Sequence, residues 1–290
     1  MISPASTILA MSLSLASAFA PAAAAPDWVG TVRAAHAKFT GQAGTLACLG
    51  DSITVTLAFW TPMLYERKNA PDDMEKAFAL VKKHLAQPCW RDWKGPQFGN
   101  EGTRTSQWAI EHIDEWLKRL NPESAVIMFG TNDLTALSAE TYEKNMRQLT
   151  RRCLDNGTVP ILTTIPPRHG LAPKAAQYAD IVRKLAAELK VPLIDYHAEI
   201  LRRRPADWDG ADPKFSAYKD YEVPTLLSRD GVHPSNPKAH QDYSDDSLSR
   251  CGYGLRNYMT LMMYAKVLQE LGTKRTSTTC LQDSMSVLKR

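Results

Sequence analysis

The chain has 290 residues, 44% of them hydrophobic and 23% charged, and its 35 basic and 31 acidic residues leave a formal charge of +4. This composition is typical of a globular protein with a substantial core and excludes a disordered chain. The charges are interspersed, and even Arg202-Arg203-Arg204 is typical of a solvated helix end, so no nucleic-acid partner is expected.

The N-terminal segment predicts export. Residues 1–25 carry no charged side chain and include a mostly apolar run from Ile8 to Ala20, which ends in the small-residue pattern Ala18-Phe19-Ala20. This pattern predicts a secretory signal peptide, with an amphipathic or disordered extension as the alternative. Serines and Pro21 interrupt the run before about 20 apolar residues accumulate, so no stable membrane insertion is expected after signal removal. The predicted location is secreted or periplasmic.

Export would place the cysteines in an oxidising compartment, where up to two disulfides can form. The five cysteines are Cys48, Cys89, Cys153, Cys251 and Cys280. Cys48 lies in an apolar run, so a buried free thiol is expected there. Cys251 and Cys280 flank the last predicted helix and are candidate partners, but the sequence does not determine the connectivity. No Cys-x-x-Cys pair exists, so a structural zinc site is not expected.

Short apolar runs alternate with longer helical patterns, which is typical of a parallel sheet covered by helices. The predicted strands are Thr45–Leu49, Gln97–Gly99, Ala125–Phe129, Val159–Thr163 and Pro192–Asp195. The predicted helices are Asp72–Leu85, Ser106–Leu120, Ala139–Leu154, Ala172–Leu189 and Leu255–Leu271. The fold class is therefore α/β, with a central, mainly parallel five-stranded sheet.

Two long stretches lie outside this pattern. Thr54–Pro96 is rich in Trp and Pro, and Pro205–Ser228 is rich in Asp, Tyr and Pro. Long insertions often border a binding site, so these stretches form either the walls of a substrate cleft or plain surface covering. One domain is expected over residues 26–272, followed by a Ser/Thr-rich tail at residues 273–290.

Gly50-Asp51-Ser52 follows the first predicted strand and precedes a possible helix. Ser52 would stand at the carboxyl end of a parallel strand, where ligands bind in open α/β sheets. The backbone N–H groups of the following helix can face a developing oxyanion. Alone, this segment would be an ordinary helix N-cap.

Asn132 follows another predicted strand, within Gly130-Thr131-Asn132-Asp133. Its neutral amide can donate to an oxyanion, and the hydrogen bond strengthens as negative charge develops. Alone, the segment would be a turn with Asx bonding.

Asp230 lies three residues before His233, in a loop that Gly231 and Pro234 punctuate. This spacing lets the carboxylate accept the imidazole Nδ1–H, which leaves Nε2 free to take a proton from Ser52. The pattern favours a catalytic histidine over a structural one.

The order and content of these segments resemble the SGNH (GDSL-type) hydrolase superfamily. The matching segments are Gly50-Asp51-Ser52-Ile53, Asn100-Glu101-Gly102, Gly130-Thr131-Asn132-Asp133 and Asp230-Gly231-Val232-His233-Pro234. The resemblance implies a flavodoxin-like three-layer α/β/α sandwich and ester hydrolysis through Ser52, His233 and Asp230. It also implies an oxyanion hole formed by the backbone N–H groups of Ser52 and Gly102 and by the amide of Asn132. No metal and no cofactor is required.

The sequence departs from the family pattern in two places. Asn100-Glu101-Gly102 runs into Thr103, where family members commonly have a further Gly, so Thr103 is the alternative backbone donor to Gly102. Ile53 stands where the motif usually has Leu.

Other residues are candidates for substrate binding or a second chemistry. Trp60 can stack on a sugar ring, and Arg104 and Arg168 either meet an anionic substrate or lie on the surface. Asp51 and Asp133 resemble a carboxylate pair for glycosidase or metal chemistry, but in this family such residues usually bond structurally to loops.

The expected function is an exported serine esterase that removes a small acyl group, acetyl in the simplest case, from a small-molecule or polysaccharide ester. Export and the Trp/Tyr-rich insertions favour a carbohydrate. The alternatives within the superfamily are a lipase, a lysophospholipase or a thioesterase, and the same residues would serve an acyltransferase. The alternative of another class is a catalytically silent carbohydrate-binding module.

Overall fold

The computed structural model describes residues 27–272. The predicted signal peptide at residues 1–25, the tail at residues 273–290 and Cys280 lie outside the described residues. These parts of the prediction therefore stay predictions.

A parallel sheet forms the centre of the fold. Its four strands are β1 (Leu46–Gly50), β2 (Ser124–Met128), β3 (Val159–Thr163) and β4 (Leu193–Ile194), and they lie in the order β1-β2-β3-β4. Every residue of β1, β2 and β3 is buried, as expected for strands covered on both faces. In register, Cys48 lies beside Val126, and Val126 lies beside Ile161. The α/β class is confirmed.

One of the five predicted strands, Gln97–Gly99, is wrong. Gln97–Gly99 overlaps a short 3₁₀ helix, Pro96–Phe98, instead. Gly95 and Gly99 have φ angles of 103° and 80°, so the chain turns on both sides of this helix. Pro96 has no N–H to donate to a sheet. At the outer edge of β1, this segment forms an isolated parallel bridge between Gly50 and Asn100 instead of a strand.

Ten α-helices surround the sheet within the described residues. They are α1 (Val29–His36), α2 (Ser52–Val55), α3 (Asp72–His84), α4 (Ser106–Leu120), α5 (Asp133–Ala136), α6 (Ala139–Asn156), α7 (Ala172–Leu189), α8 (Tyr196–Arg203), α9 (Asp245–Leu248) and α10 (Gly252–Leu271). The helices α4 and α7 have the predicted bounds, and α6 extends two residues further, to the left-handed Gly157.

Helices pack in two groups around the sheet. In one group, α4 packs on α6 and α6 packs on α7. In the other, α10 packs on α3 and also contacts α1, α8 and β4. The result is the predicted three-layer α/β/α arrangement, with four strands rather than five. The carboxyl ends of β1 and β2 lead directly into the segments that contain Ser52 and Asn132.

Between residues 27 and 272, none of the helices combines the length and the apolar character that a membrane span requires. The four cysteines of this region, Cys48, Cys89, Cys153 and Cys251, are buried free thiols. The expected buried free thiol at Cys48 is confirmed.

Candidate active site

Ser52 begins the short helix α2 directly after β1. The preceding residue, Asp51, is wholly buried and caps the helix by accepting the N–H of Ile53 at 3.0 Å. Gly50 permits the tight turn, because a Cβ there would lie 2.7 Å from the carbonyl oxygen of Met128. The chain thus leaves the sheet sharply, and Ser52 is left half-buried at the strand end.

The fold brings His233 and Asp230 to Ser52. The Nε2 atom of His233 lies 2.9 Å from Ser52 Oγ, although 181 positions separate the two residues in the sequence. The Nδ1 atom of His233 lies 2.6 Å from Asp230 Oδ2. The three side chains therefore form a continuous hydrogen-bonded chain.

Asp230 is held as a carboxylate. Burial raises its pKa, but hydrogen bonds from the imidazole of His233, from Ser228 Oγ and from the N–H groups of His233 and Val232 lower it more, so the pKa lies well below its ordinary value. An ionised carboxylate only accepts hydrogen bonds. The proton of a neutral His233 therefore sits on Nδ1, and Nε2 is free to accept a proton from Ser52.

Gly231 shapes the loop that contains Asp230 and His233. Its φ angle is 67°, in the left-handed region that glycine tolerates, and a Cβ there would lie 2.3 Å from the Cβ of His169. The loop can therefore pack closely against the His169 segment only with glycine at this position.

The remaining candidate donors come from the two loops beside Ser52. The N–H of Glu101 bonds to the carbonyl of Gly50 at 3.2 Å, which fixes the Gly102 loop beside the end of β1. Within the described residues, neither Gly102 nor Thr103 donates its backbone N–H to another group. Asn132 uses one amide hydrogen on the carbonyl of Arg104 at 2.9 Å, and its second hydrogen remains available.

Asn100 anchors the Gly102 loop. Its side chain is fully buried, donates to the carbonyl of Cys48 at 2.9 Å and accepts from the N–H of Gly95 at 3.0 Å. The sequence motif includes this residue, but its role as the link between the loop and β1 depends on contacts that only the structure supplies.

Asp51 and Asp133 have structural partners in the described residues. Asp133 accepts hydrogen bonds from the N–H and the hydroxyl of Ser106, at the start of α4. Burial raises the pKa of Asp133, and burial raises the pKa of Asp51 to about 6. Within residues 27–272, no cluster of His, Cys, Asp or Glu side chains is arranged to hold a metal ion.

Trp60 is a core residue, and this corrects the expectation that it contacts a substrate. The residue is 1% exposed, its ring stacks on Trp90 with centroids 5.2 Å apart, and the ring of Tyr264 meets it edge-on. Both stacking faces are therefore unavailable to a sugar. The sequence shows that an aromatic residue lies in an insertion, but not which way its ring points.

Arg104 and Arg168 both lie beside the site, yet protein groups hold their guanidinium groups. Arg104 pairs with Glu101 and lies over the ring of Trp108, 5.4 Å from its centroid. Arg168 donates to the carbonyl of Thr131. Arg168 thus supports the loop that contains Asn132, and Arg104 supports the Gly102 loop through Glu101.

Sequence reasoning missed three residues close to the site. The ring of Tyr221, 40% exposed, lies 6.2 Å from the imidazole of His233. Lys94 and Arg256 donate hydrogen bonds to α2. The Tyr-rich stretch at residues 205–228 was a signal for Tyr221, but nothing in the linear sequence distinguishes these two cations from ordinary surface residues.

The sequence profile of the GDSL-like lipase/acylhydrolase family matches residues 48–240, which include all four segments of the site. The chain belongs to this family. It is accordingly a hydrolase of carboxylic esters. Among curated proteins, no sequence matches the chain.

Several solved structures resemble this GDSL-like hydrolase in fold. The lipase/acylhydrolase from Enterococcus faecalis is 15% identical, over 76% of this chain and 94% of that chain, with a TM-score of 0.49. A catalytic mutant of an acetylxylan esterase from Geobacillus stearothermophilus is 16% identical, over 81% and 97%, with a TM-score of 0.46. A psychrotrophic esterase from Pseudoalteromonas sp. is 13% identical, over 79% and 100%, with a TM-score of 0.44.

Proposed function

We propose that this family member is an exported serine esterase that removes a small acyl group, acetyl in the simplest case, from a carbohydrate. The observation that carries the catalytic part is the pair of contacts at His233, 2.9 Å to Ser52 Oγ and 2.6 Å to Asp230 Oδ2. The first distance allows the proton transfer from Ser52 to His233 that serine acyl transfer requires, and the second orients the imidazole for it.

In the proposed mechanism, Ser52 Oγ attacks the ester carbonyl carbon while His233 Nε2 takes the hydroxyl proton. The Ser52 and Gly102 N–H groups and the Asn132 amide donate to the resulting oxyanion. Collapse breaks the bond to the alcohol, which leaves with the proton from His233. Water then attacks the acyl-enzyme, again with His233 as base, and releases the acid and free Ser52.

A cleft lined by both apolar and hydrogen-bonding side chains supports a carbohydrate substrate. The cleft has a volume of about 400 Å³ and lies between the segment that follows α2, with Ala58 and Pro62, and the segment that follows His233, with Asn236. Its other lining residues include Tyr65, Glu66, Lys68, Gln241 and Asp242. An exposed aromatic ring among hydrogen-bonding side chains suits a sugar unit, which presents an apolar face and a rim of hydroxyls.

Exposed apolar side chains after α2 favour a second candidate, a lipase. Leu57 is 54% exposed, Leu64 is 38% exposed and Tyr65 is 62% exposed. Together these side chains offer a surface on which a long acyl chain can lie. The hydrogen-bonding side chains of the cleft, among them Glu66, Gln241 and Asp242, favour the carbohydrate esterase of the two.

The catalytic proposal is tested by comparing the wild type with Ser52→Ala on a chromogenic acetyl ester. We expect the variant to lose about 10⁴-fold or more in kcat, because the nucleophile is removed. Ser138→Ala, at the N-cap of α6, is the matched control and should keep wild-type kcat. Equal rates from the wild type and Ser52→Ala would overturn the proposal and favour a binding module.

The substrate is tested by release of acid from acetylated polysaccharides and from long-chain lipid esters. We expect the wild type to have a higher kcat/KM on the acetylated polysaccharides than on the lipid esters. Tyr65→Ala should lower kcat/KM on the polysaccharides and leave it unchanged on the lipid esters. A preference for the lipid esters would identify the lipase instead. Acyl transfer to an added sugar acceptor would identify a transferase.

A further inference from the structure

Two cationic side chains bind the carboxyl end of α2, the helix that begins with Ser52. Arg256, on α10, is fully buried and donates to the carbonyl oxygen of Ile53 at 2.6 Å and to Thr54 Oγ1 at 2.9 Å. Lys94 Nζ, partly buried, donates to the carbonyl oxygen of Thr54 at 2.7 Å. Both cations thus contact residues next to Ser52 in the sequence.

The burial of these two cations is energetically unfavourable. Transfer of a charge out of water is strongly unfavourable unless the charge is paired or hydrogen-bonded. Within the described residues, neither Lys94 nor Arg256 forms an ion pair with a carboxylate, and Arg256 Nε has no hydrogen-bond partner. Both cations instead lie over the ring of Phe59, with the Arg256 guanidinium carbon 3.6 Å and Lys94 Nζ 5.4 Å from its centroid.

The length of α2 explains why such cations are useful. A four-residue helix satisfies almost none of its own carbonyl groups, so its carboxyl end has no internal support. Arg256 and Lys94 supply the missing donors, and positive charge is favourable at this end of a helix. Asn257, the next residue on α10, also holds the segment after α2, because its amide donates to the carbonyl of Ala58 at 3.0 Å.

We propose that Arg256 and Lys94 are positioning residues for Ser52. By fixing the Ile53 and Thr54 carbonyl groups, they keep Ser52 Oγ at hydrogen-bonding distance from His233 Nε2. This inference rests on the proposed serine esterase mechanism. Neither cation touches the substrate; both act through α2.

The protonation of Lys94 makes the expected esterase activity depend on pH. Burial lowers the pKa of Lys94 to about 8, and the positive charge of Arg256 on α10 adds to this shift. The other titratable group that faces Lys94 is Cys48 on β1, and only its thiolate would oppose the shift. Loss of the proton leaves the Thr54 carbonyl with a weaker, uncharged donor. An arginine at this position would stay charged throughout the range.

The test measures kcat and KM for the chromogenic acetyl ester from about pH 6 to about pH 10 in the wild type, Lys94→Met and Lys94→Arg. We expect Lys94→Met to lose about tenfold to a hundredfold in kcat, with KM nearly unchanged, because a small displacement of a catalytic group costs rate rather than binding. We expect Lys94→Arg to restore kcat at neutral pH and to abolish the wild-type decline above about pH 8.

The controls separate this inference from the proposal on which it rests. Lys76→Met, an exposed lysine on α3, should leave both constants unchanged. Two outcomes would overturn the positioning role alone. One is hydrolysis by Lys94→Met that depends on Ser52 and proceeds at the wild-type rate. The other is a decline of kcat at alkaline pH that is the same in the wild type and in Lys94→Arg. Equal hydrolysis by the wild type and Ser52→Ala overturns both proposals. If Lys94→Met fails to fold, the comparison with Lys94→Arg decides the question.

Discussion

The carboxylate of Asp230 determines which nitrogen of His233 faces Ser52. Its Oδ1 accepts the N–H groups of Val232 and His233, at 2.8 and 2.9 Å, and its Oδ2 faces the imidazole Nδ1. Since its pKa lies well below the ordinary value, Asp230 stays ionised in mild acid and remains an acceptor for the imidazole.

Asp230→Asn is expected to reverse the tautomer. The amide oxygen of asparagine would keep the backbone contacts, which turns its NH₂ toward Nδ1 and forces that nitrogen to accept. Nε2 would then carry a proton and could not accept another from Ser52. We expect kcat to fall about 10³–10⁴-fold at neutral pH in steady-state assays.

The matched control for this substitution is Asp212→Asn, a partly exposed carboxylate in the preceding loop, which should leave kcat unchanged. A loss of less than about tenfold in Asp230→Asn would show that another group orients the imidazole.

At the scale of elements, Glu123 ties two helices to the amino end of β2. The carboxylate is 1% exposed and accepts from Nε2 of His36, at the end of α1, at 2.8 Å and from Nε2 of His84, at the end of α3, at 2.7 Å. The N–H of Gly44 donates to it as well, at 2.7 Å. Glu123 thus connects the helices to the sheet at the end of β2 opposite the active site.

Glu123→Gln should lower the free energy of unfolding by about 2 kcal/mol at neutral pH, because the amide loses the charge and can accept from only one imidazole. Urea unfolding measures this difference. Burial raises the pKa of Glu123, but the bonds from His36, His84 and Gly44 bring it down to about 2, against an ordinary 4.5.

A lowered pKa means that ionised Glu123 stabilises the folded state above about pH 5 and that this contribution disappears as the pH falls from about 4.5 toward 2. The difference between the wild type and Glu123→Gln should therefore shrink in acid. Glu115→Gln, an exposed residue of α4, is the control. A difference that is constant with pH would contradict the assignment.

At the scale of the whole molecule, the core encloses the thiols of the described residues. Cys48, Cys89, Cys153 and Cys251 are at most 5% exposed. Burial raises the pKa of each, to about 12 for the last three, so the reactive thiolate is scarce. Their reactivity should depend on global unfolding.

In a Cys280→Ser variant, we expect no native thiol to react with a chromogenic disulfide reagent at mildly alkaline pH, and all four to react in guanidinium chloride. The count of released chromophore measures both states. Rapid reaction of the native protein would show that the core opens locally, and fewer than four thiols in denaturant would show a disulfide.

Local patterns in the sequence were sufficient for most of the fold. The apolar stripe of Ser106–Leu120 predicted α4 with its observed bounds, and Val159–Thr163 was predicted as the observed β3. Gln97–Gly99 was wrong because the sequence does not reveal that Gly95 and Gly99 adopt positive φ angles. Trp60 was wrong because composition does not tell which way a ring points.

By itself, the sequence determined the residue types of the site, the α/β class and the family, because motifs and periodicities are local properties of the chain. Only the tertiary structure decided that His233 Nε2 lies 2.9 Å from Ser52 Oγ and that Arg256 and Lys94 support α2. The physical reason is that these contacts join residues far apart in the sequence, and their distances follow from the packing of the whole core rather than from any single segment.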